Sequence, residues 1–366
     1  MNSNNIGDDF KKLHLAFIGS AGIPNRYGGF ESFLENCAPY FAVATASTVV
    51  TCDASLYRGD FSTNFFGVRR IFLKIRANGT MSVLHDLVAF FHVFRRSTHI
   101  LVLGISGGPW FPLFLLMCRL AGKKLAVNID GVEWRRSKFN PIKQRILRVF
   151  DFLAQKFSDI VIYDNSGLAE YVLPAARKRA FEISYPGDHV QRLPTVTKKN
   201  STALTVCRIE PENNLDLLIV GVLESDLKCY TIVGNWNNSQ YGRTLKARYA
   251  DESRLQLLDP IYEPGHLAEL REACAIYLHG HSVGGTNPSL VEMLYYDCAV
   301  LCFDAVYNRA TAGQGASYFK DAFSLREVIN SAIAGQSGGD LTERLILRKK
   351  YTSNSIVHAY LKALST

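Results

Sequence analysis

Short apolar runs alternate along this chain with stretches whose apolar positions have helical spacing, and that alternation narrows the fold more than anything else in the sequence. Runs at 13–18, 48–51, 68–73, 100–104, 125–129, 159–163 and 181–184 read as buried strands. Helical stretches fall at 83–94, 141–157 and 166–173, and an amphipathic helix opens near Phe30. A strand that is apolar along its whole length has to be covered on both faces, the condition of a parallel sheet between helical layers. Residues 191–200, QRLPTVTKKN, break the pattern, being polar, basic and without period. A second series follows, with strands at 204–207, 230–233, 255–258, 275–278 and 300–303 and helical spacing at 356–364. The chain reads as α/β with two sheets. Residues 1–190 form a first domain, 191–200 a linker, 201–345 a second domain, and 346–366 a C-terminal helix that packs back on the first. Its 366 residues suffice for two cores.

Lys and Arg total 41 against 33 Asp and Glu, a net charge of +8. That excess suits an anionic partner, whether a nucleotide diphosphate, a lipid head group or a nucleic acid, and does not choose among them. No nucleic-acid reading module is recognisable, so nucleic acid is not an expected partner. The eight cysteines form no CxxC pair and mostly sit in apolar runs, as small buried side chains of a reducing compartment do. The opening MNSNNIGDDFKK lacks the apolar stretch of a signal peptide. The most membrane-like run, 109–117, is far short of the roughly 20 apolar residues of a spanning helix. A cytoplasmic protein is expected.

Three motifs carry chemistry. Residues 19–31, GSAGIPNRYGGFE, follow the first strand directly. Glycines there let backbone approach a ligand, and a helix start offers N–H groups with partial positive charge. Gly28, Gly29 and Arg26 favour an anion or sugar site, a plain tight turn being the alternative. Residues 279–294, HGHSVGGTNPSLVEML, give the strongest signal. Asn287 suits a helix cap and Pro288 the first helical position, which would leave the N–H groups of Ser289 and Leu290 for a diphosphate. Glu292, close behind, could accept hydrogen bonds from both ribose hydroxyls; an ordinary capped helix with a surface glutamate is the competing reading. Residues 128–139, NIDGVEWRRSKF, end a strand and bring Asp130 and Glu133 into one loop. Either carboxylate could orient an acceptor hydroxyl or steady an oxocarbenium-like sugar.

The segment HSVGGTNPSLVE resembles the nucleotide-binding segment of glycosyltransferase family four, a large retaining family with the GT-B fold. Together with GIPNRYGGFE and NIDGVEWRRSKF it is similar to one bacterial branch, the rhamnosyltransferases of surface-polysaccharide assembly, over residues 13–319. The resemblance implies two Rossmann-like domains facing each other across a cleft. It implies a nucleotide-sugar donor, favouring dTDP-L-rhamnose, held mainly by the second domain, and a saccharide or lipid-linked saccharide acceptor held mainly by the first. Residue by residue, Glu292 matches the second glutamate of the family's E-x7-E motif, the ribose ligand. The first glutamate would stand at 284, where this chain has Gly284, so backbone of Gly284, Gly285, Thr286, Asn287, Ser289 and Leu290 would serve the donor instead, with His281 and the Gly28–Gly29 pair as further donor contacts. Arg208, in TVCRIEPENN, matches the basic residue that meets the diphosphate; the lysine often found after it is missing. Asp130, Glu133 and Arg208 are the expected catalytic residues, and Arg26, Tyr27, Glu31 and Trp134 the expected acceptor contacts. No cofactor beyond the donor and no metal is implied. Transfer from a UDP- or GDP-hexose is an alternative, as is a noncatalytic nucleotide-sugar-binding scaffold.

Two features lie outside those motifs. From Arg135, cations run through Arg136, Lys138, Lys143, Arg145 and Arg148 with no acid before Asp151, interleaved with Leu147, Phe150 and Phe157. Such a helix suits peripheral contact with an anionic membrane, or is a solvated face. His279 and His281 share a strand end without the further ligands zinc would need.

Overall fold

A computed structural model describes residues 10–135, 139–261 and 263–366, without the side chains of Glu133 and Pro264. The chain divides into two compact units. One runs to Pro186 and takes back Ser353–Thr366; the other is Gly187–Thr352. The second unit thus starts before the stretch read as a linker, and its first strand begins at Lys199.

The first unit contains β1 (His14–Ile18), α1 (Gly29–Ala44), β2 (Ser47–Asp53), β3 (Asn64–Phe65), β4 (Val68–Leu73), α2 (Ser82–Phe94), β5 (His99–Leu103), α3 (Phe111–Leu120), β6 (Lys124–Asn128), α4 (Pro141–Lys156), β7 (Ile160–Tyr163) and β8 (Ala180–Glu182). Its sheet has the order β3-β4-β2-β1-β5-β6-β7-β8, parallel throughout except for the β3–β4 pair. The strand order reverses at β1 and β5, so the loops after these strands flank the crevice where doubly wound sheets bind ligands. Gly19 belongs to that geometry. Its φ is +86°, and a Cβ there would collide with the Leu103 carbonyl. Apolar side chains alternate to the two sheet faces. Leu15, Phe17 and Leu101 meet α1; Ala16, Ile100 and Val102 meet α2, α3 and α4.

The second unit contains β9 (Lys199–Val206), α5 (Leu215–Leu223), β10 (Cys229–Val233), α6 (Gln240–Arg248), β11 (Leu255–Leu258), α7 (Pro264–Ala273), β12 (Cys274–His279), α8 (Pro288–Met293), β13 (Ala299–Phe303), α9 (Val306–Ala312), β14 (Ser317–Phe319), α10 (Ala322–Ile333) and α11 (Leu341–Lys350). All its strands are parallel, in the order β11-β10-β9-β12-β13-β14. Here the order reverses at β9 and β12, the strands that lead into Arg208 and into the 280–287 loop. The last helix, α12 (Ser353–Leu364), returns to the first unit, where Tyr360 stacks on Phe33 of α1 at 4.9 Å between ring centroids. Among the described residues, no helix is long and apolar enough to cross a membrane.

Candidate active site

The second unit's switch point is built by packing around one loop. β12 ends at His279, and Gly280 lets the chain pass so close to the Asn213 carbonyl that a Cβ would collide with it. The Asn213 amide donates to the Arg208 carbonyl at 2.7 Å, which turns its Oδ1 toward His281 Nδ1, 2.8 Å away. His281 Nδ1 therefore carries the proton, and Nε2 is the acceptor nitrogen when the ring is neutral. A Cβ on Gly284 would come within 2.9 Å of that Nε2, and Gly284 has φ +143°, so glycine is required there twice over. Asn308 closes the back of the loop by donating to the His281 carbonyl at 2.7 Å. His279 is buried beneath, and its Nε2 has no hydrogen-bond partner among the described residues. Burial, with the His281 charge nearby, pushes its imidazole down to about 3, so this histidine is neutral.

The helix after the loop differs from expectation. Asn287 does cap α8, but its Oδ1 takes the Ser289 N–H at 3.0 Å and its carbonyl takes the Leu290 N–H at 3.0 Å. Neither N–H is open to a diphosphate, because the cap satisfies its own helix and α8 is only six residues long. The Leu290 side chain is fully buried in the core, and Thr286 is buried too. Two N–H groups without such partners lie one turn earlier. The N–H groups of Gly284 and Gly285 make no hydrogen bond among the described residues. Arg208, exposed after β9, makes no side-chain hydrogen bond or ion pair among the described residues.

Glu292 is not a surface glutamate. Its side chain is only 13% exposed; one carboxylate oxygen is ion-paired with Arg271 of α7, and the other lies 3.1 Å from His189 Nε2. Burial alone would raise the carboxyl, but the Arg271 guanidinium and His189 outweigh it and hold it down at about 2. Arg271 is itself buried, with an Nε that finds no partner among the described residues. Each carboxylate oxygen keeps a second lone pair, so the group is fixed in charge and orientation with acceptor capacity left over. Sequence reasoning missed both partners. Arg271 lies 21 residues upstream and His189 103, and nothing local marks either.

In the first unit, the loop after β1 also satisfies itself. Glu31 is 3% exposed; its carboxylate takes the Ala21 N–H at 2.6 Å, and the backbone N–H groups of Gly28 and Glu31 favour its charged form. It thereby ties the start of α1, where Gly28 and Gly29 were expected to meet a donor and Glu31 an acceptor, to the loop after β1. Burial raises its pKa despite these bonds, with the nearby charge of Asp130 adding to the rise. Arg26 donates to the Leu56 carbonyl at 3.1 Å and lies over the Tyr57 ring, while Tyr27 is 65% exposed. Asp130 follows β6 with φ +54°, held by its N–H on Asn128 Oδ1 at 2.9 Å, and accepts from the Tyr185 hydroxyl at 3.0 Å. The same Asn128 donates to Tyr360 of α12 at 2.7 Å. Glu31, Asp130 and Tyr185 thus gather at the carboxyl ends of the strands. Trp134, an expected acceptor contact, donates its indole N–H to Asp151 of α4 at 3.2 Å, and its ring lies under Arg148. Glu133 opens a short 3-10 turn, and its side chain lies outside the described residues, as do Arg136 and Lys138.

A sequence-family profile for a domain of unknown function, DUF1972, matches residues 12–187. No curated protein matches the chain. Among solved structures, sucrose-phosphate synthase from Thermosynechococcus elongatus is similar with a TM-score of 0.74 at 12% identity, covering 94% of this chain and 96% of that one. TarM is similar with a TM-score of 0.72 at 11% identity, over 98% and 100%. The catalytic domain of starch synthase IV from Arabidopsis thaliana, bound to ADP and acarbose, is similar with a TM-score of 0.69 at 9% identity, over 97% and 100%. At such identities the likeness is one of fold, and the fold of this chain is α/β of the GT-B type, two Rossmann-like domains in sequence.

Proposed function

We propose that the chain is a retaining glycosyltransferase that moves a sugar from a nucleotide sugar to a saccharide or lipid-linked saccharide. What supports the reading is that β9 and β12, the strands flanking the second sheet's switch point, lead into exposed Arg208 and the Gly284–Gly285 loop, and that α8, which follows this loop, carries a charge-fixed Glu292. In this reading Glu292 accepts from the ribose hydroxyls, and Arg208 with the two glycine N–H groups meets the diphosphate and stabilises the charge that develops as the glycosidic bond to phosphate breaks. His281 Nε2 accepts from a sugar hydroxyl. In the first unit Asp130, steadied by Tyr185, receives or orients the acceptor hydroxyl. The similar starch synthase domain carries ADP, which supports a nucleotide as the ligand class.

The favoured donor is dTDP-L-rhamnose, on the motifs shared with the rhamnosyltransferase branch, and a UDP- or GDP-hexose is the alternative. Arginine and backbone N–H groups supply the positive charge a metal would otherwise bring, so transfer proceeds without one. Thermal denaturation with a panel of dTDP-, UDP- and GDP-sugars, with and without EDTA, tests both statements. A ligand at 100 times its Kd adds about 2.7 kcal/mol to stability. dTDP-L-rhamnose should give the largest rise, and EDTA should leave it unchanged. A larger rise with another nucleotide reassigns the donor, and a rise that needs magnesium or manganese overturns the metal-free reading.

A further inference from the structure

Three helices of the first unit form one continuous layer on a single sheet face. Phe90 of α2 stacks on Phe114 of α3 with centroids 4.0 Å apart. The Trp110 indole, just before α3, donates to the Val83 carbonyl of α2 at 2.9 Å. Gly108 lies so close to α4 that a Cβ would collide with Phe150. The outward side of this layer is apolar where a solvated layer would be polar. Phe91 on α2, Leu116 and Leu120 on α3, and Ile142, Ile146 and Val149 on α4 are all exposed, from 47% at Ile146 to 81% at Leu120. Single exposed apolar side chains need no explanation, but rows at helical spacing on both α3 and α4, with Phe91 on α2, do.

The charges of the same helices are one-sided. Arg119, Lys143, Arg145, Arg148 and Lys156 are exposed. The carboxylates of these helices are turned away from solvent: Asp86 is 1% exposed, and Asp151 accepts from Trp134 and Gln155. The apolar residues that interleave with the cations in the sequence, Leu147, Phe150 and Phe157, are half-buried, and Leu147 and Phe157 pack on the core, so the outward ridge is a different set.

We propose that this layer docks on an anionic lipid bilayer, its ridge at the headgroup–acyl boundary and its cations on the anionic headgroups. An apolar ridge flanked by cations and cleared of acids matches such a surface in both polarity and charge. A second copy of the chain would set cation against cation. The proposal does not rest on the transferase reading.

Co-sedimentation of the full chain with vesicles of phosphatidylcholine alone, or with added phosphatidylglycerol, tests it. Ile142→Glu with Val149→Glu removes part of the ridge, and Lys143→Gln with Arg145→Gln removes charge at solvent-exposed positions where folding is not at stake. Leu345→Glu with Ile346→Glu, an exposed apolar pair on α11 of the other unit, is the control. The wild type should pellet with anionic vesicles and be released by salt, and each α4 pair should lower partitioning about tenfold or more, the control leaving it unchanged. Equal binding to neutral vesicles, no loss in either α4 pair, or an equal loss in the control would overturn the proposal. So would a concentration-dependent dimer in sedimentation velocity that Ile142→Glu with Val149→Glu abolishes, since the occupant would then be a second copy.

Discussion

Arg208 and Glu292 would both touch the donor, yet the structure gives them opposite dependences on the fold. Arg208 is exposed and unpaired among the described residues, so Arg208→Ala should leave thermal stability unchanged while nucleoside diphosphate affinity falls by about 1.5–3 kcal/mol in calorimetry, the range of a hydrogen bond to a charged group. Unchanged affinity would remove Arg208 from the site. Glu292 cannot be truncated so cleanly, because Glu292→Ala would strand buried Arg271, at a cost of about 3–5 kcal/mol. Its contribution is better read through pH. The folded pKa of Glu292 is depressed from 4.5 to about 2, so its stabilisation is present above 4.5 and is lost as pH falls toward 2. His279 is held from 6.5 down to about 3; the unfolded chain takes up a proton there first, so stability also declines as pH falls from 6.5. Denaturant melts between pH 7 and 3 should therefore show falling stability, and Glu292→Gln should flatten the segment below 4.5. The same slope in wild type and variant would mean that Glu292 is not the coupled group. Neither Arg271 nor His189 was legible as its partner, since both are brought there by the fold rather than by local spacing.

At the scale of elements, strands were readable because a buried parallel strand is apolar along nearly its whole length, as in β5 and β7, whose limits lie within a residue of the apolar runs. The misses have local causes. β3 is two residues long, and β14 is a three-residue edge strand, too short for a pattern. Residues 166–173 have helical spacing but form a 3-10 turn, Ser166–Tyr171, with Asn165 capping Gly167 before a second turn opens at Pro174. The opening of α8 was legible as a cap, but a cap that also consumes the N–H groups meant for a ligand is a matter of geometry. The loop before it is where function should be sensitive. Gly284→Ala forces a side chain into a backbone conformation that residues with a Cβ rarely adopt and against His281. It should weaken nucleotide binding at least tenfold while the far-ultraviolet circular dichroism spectrum stays that of the wild type. Binding at wild-type strength would place the diphosphate elsewhere.

For the whole molecule, two successive α/β series were enough to read two Rossmann-like halves, and the fold of the structural neighbours agrees. The limits of the halves were less legible, because the boundary at Pro186 and Gly187 lies within an ordinary loop, while the basic stretch after it is tied into the second unit by Arg192 on Glu272 and Asp297. Fold alone does not decide chemistry, which has to come from the site. The most direct measurement is release of nucleoside diphosphate from dTDP-L-rhamnose by the purified chain, with and without a saccharide or lipid-linked saccharide acceptor, in wild type and Asp130→Asn. Asparagine tolerates the left-handed backbone of residue 130, so the variant changes the charge and little else. Release should depend on acceptor, with a product heavier by one sugar, and turnover should fall at least a hundredfold in Asp130→Asn with donor affinity kept, the effect expected of a positioned acid–base group. Tight donor binding with no acceptor-dependent release from any nucleotide sugar would contradict the transferase reading, leaving a nucleotide-sugar-binding protein without transfer.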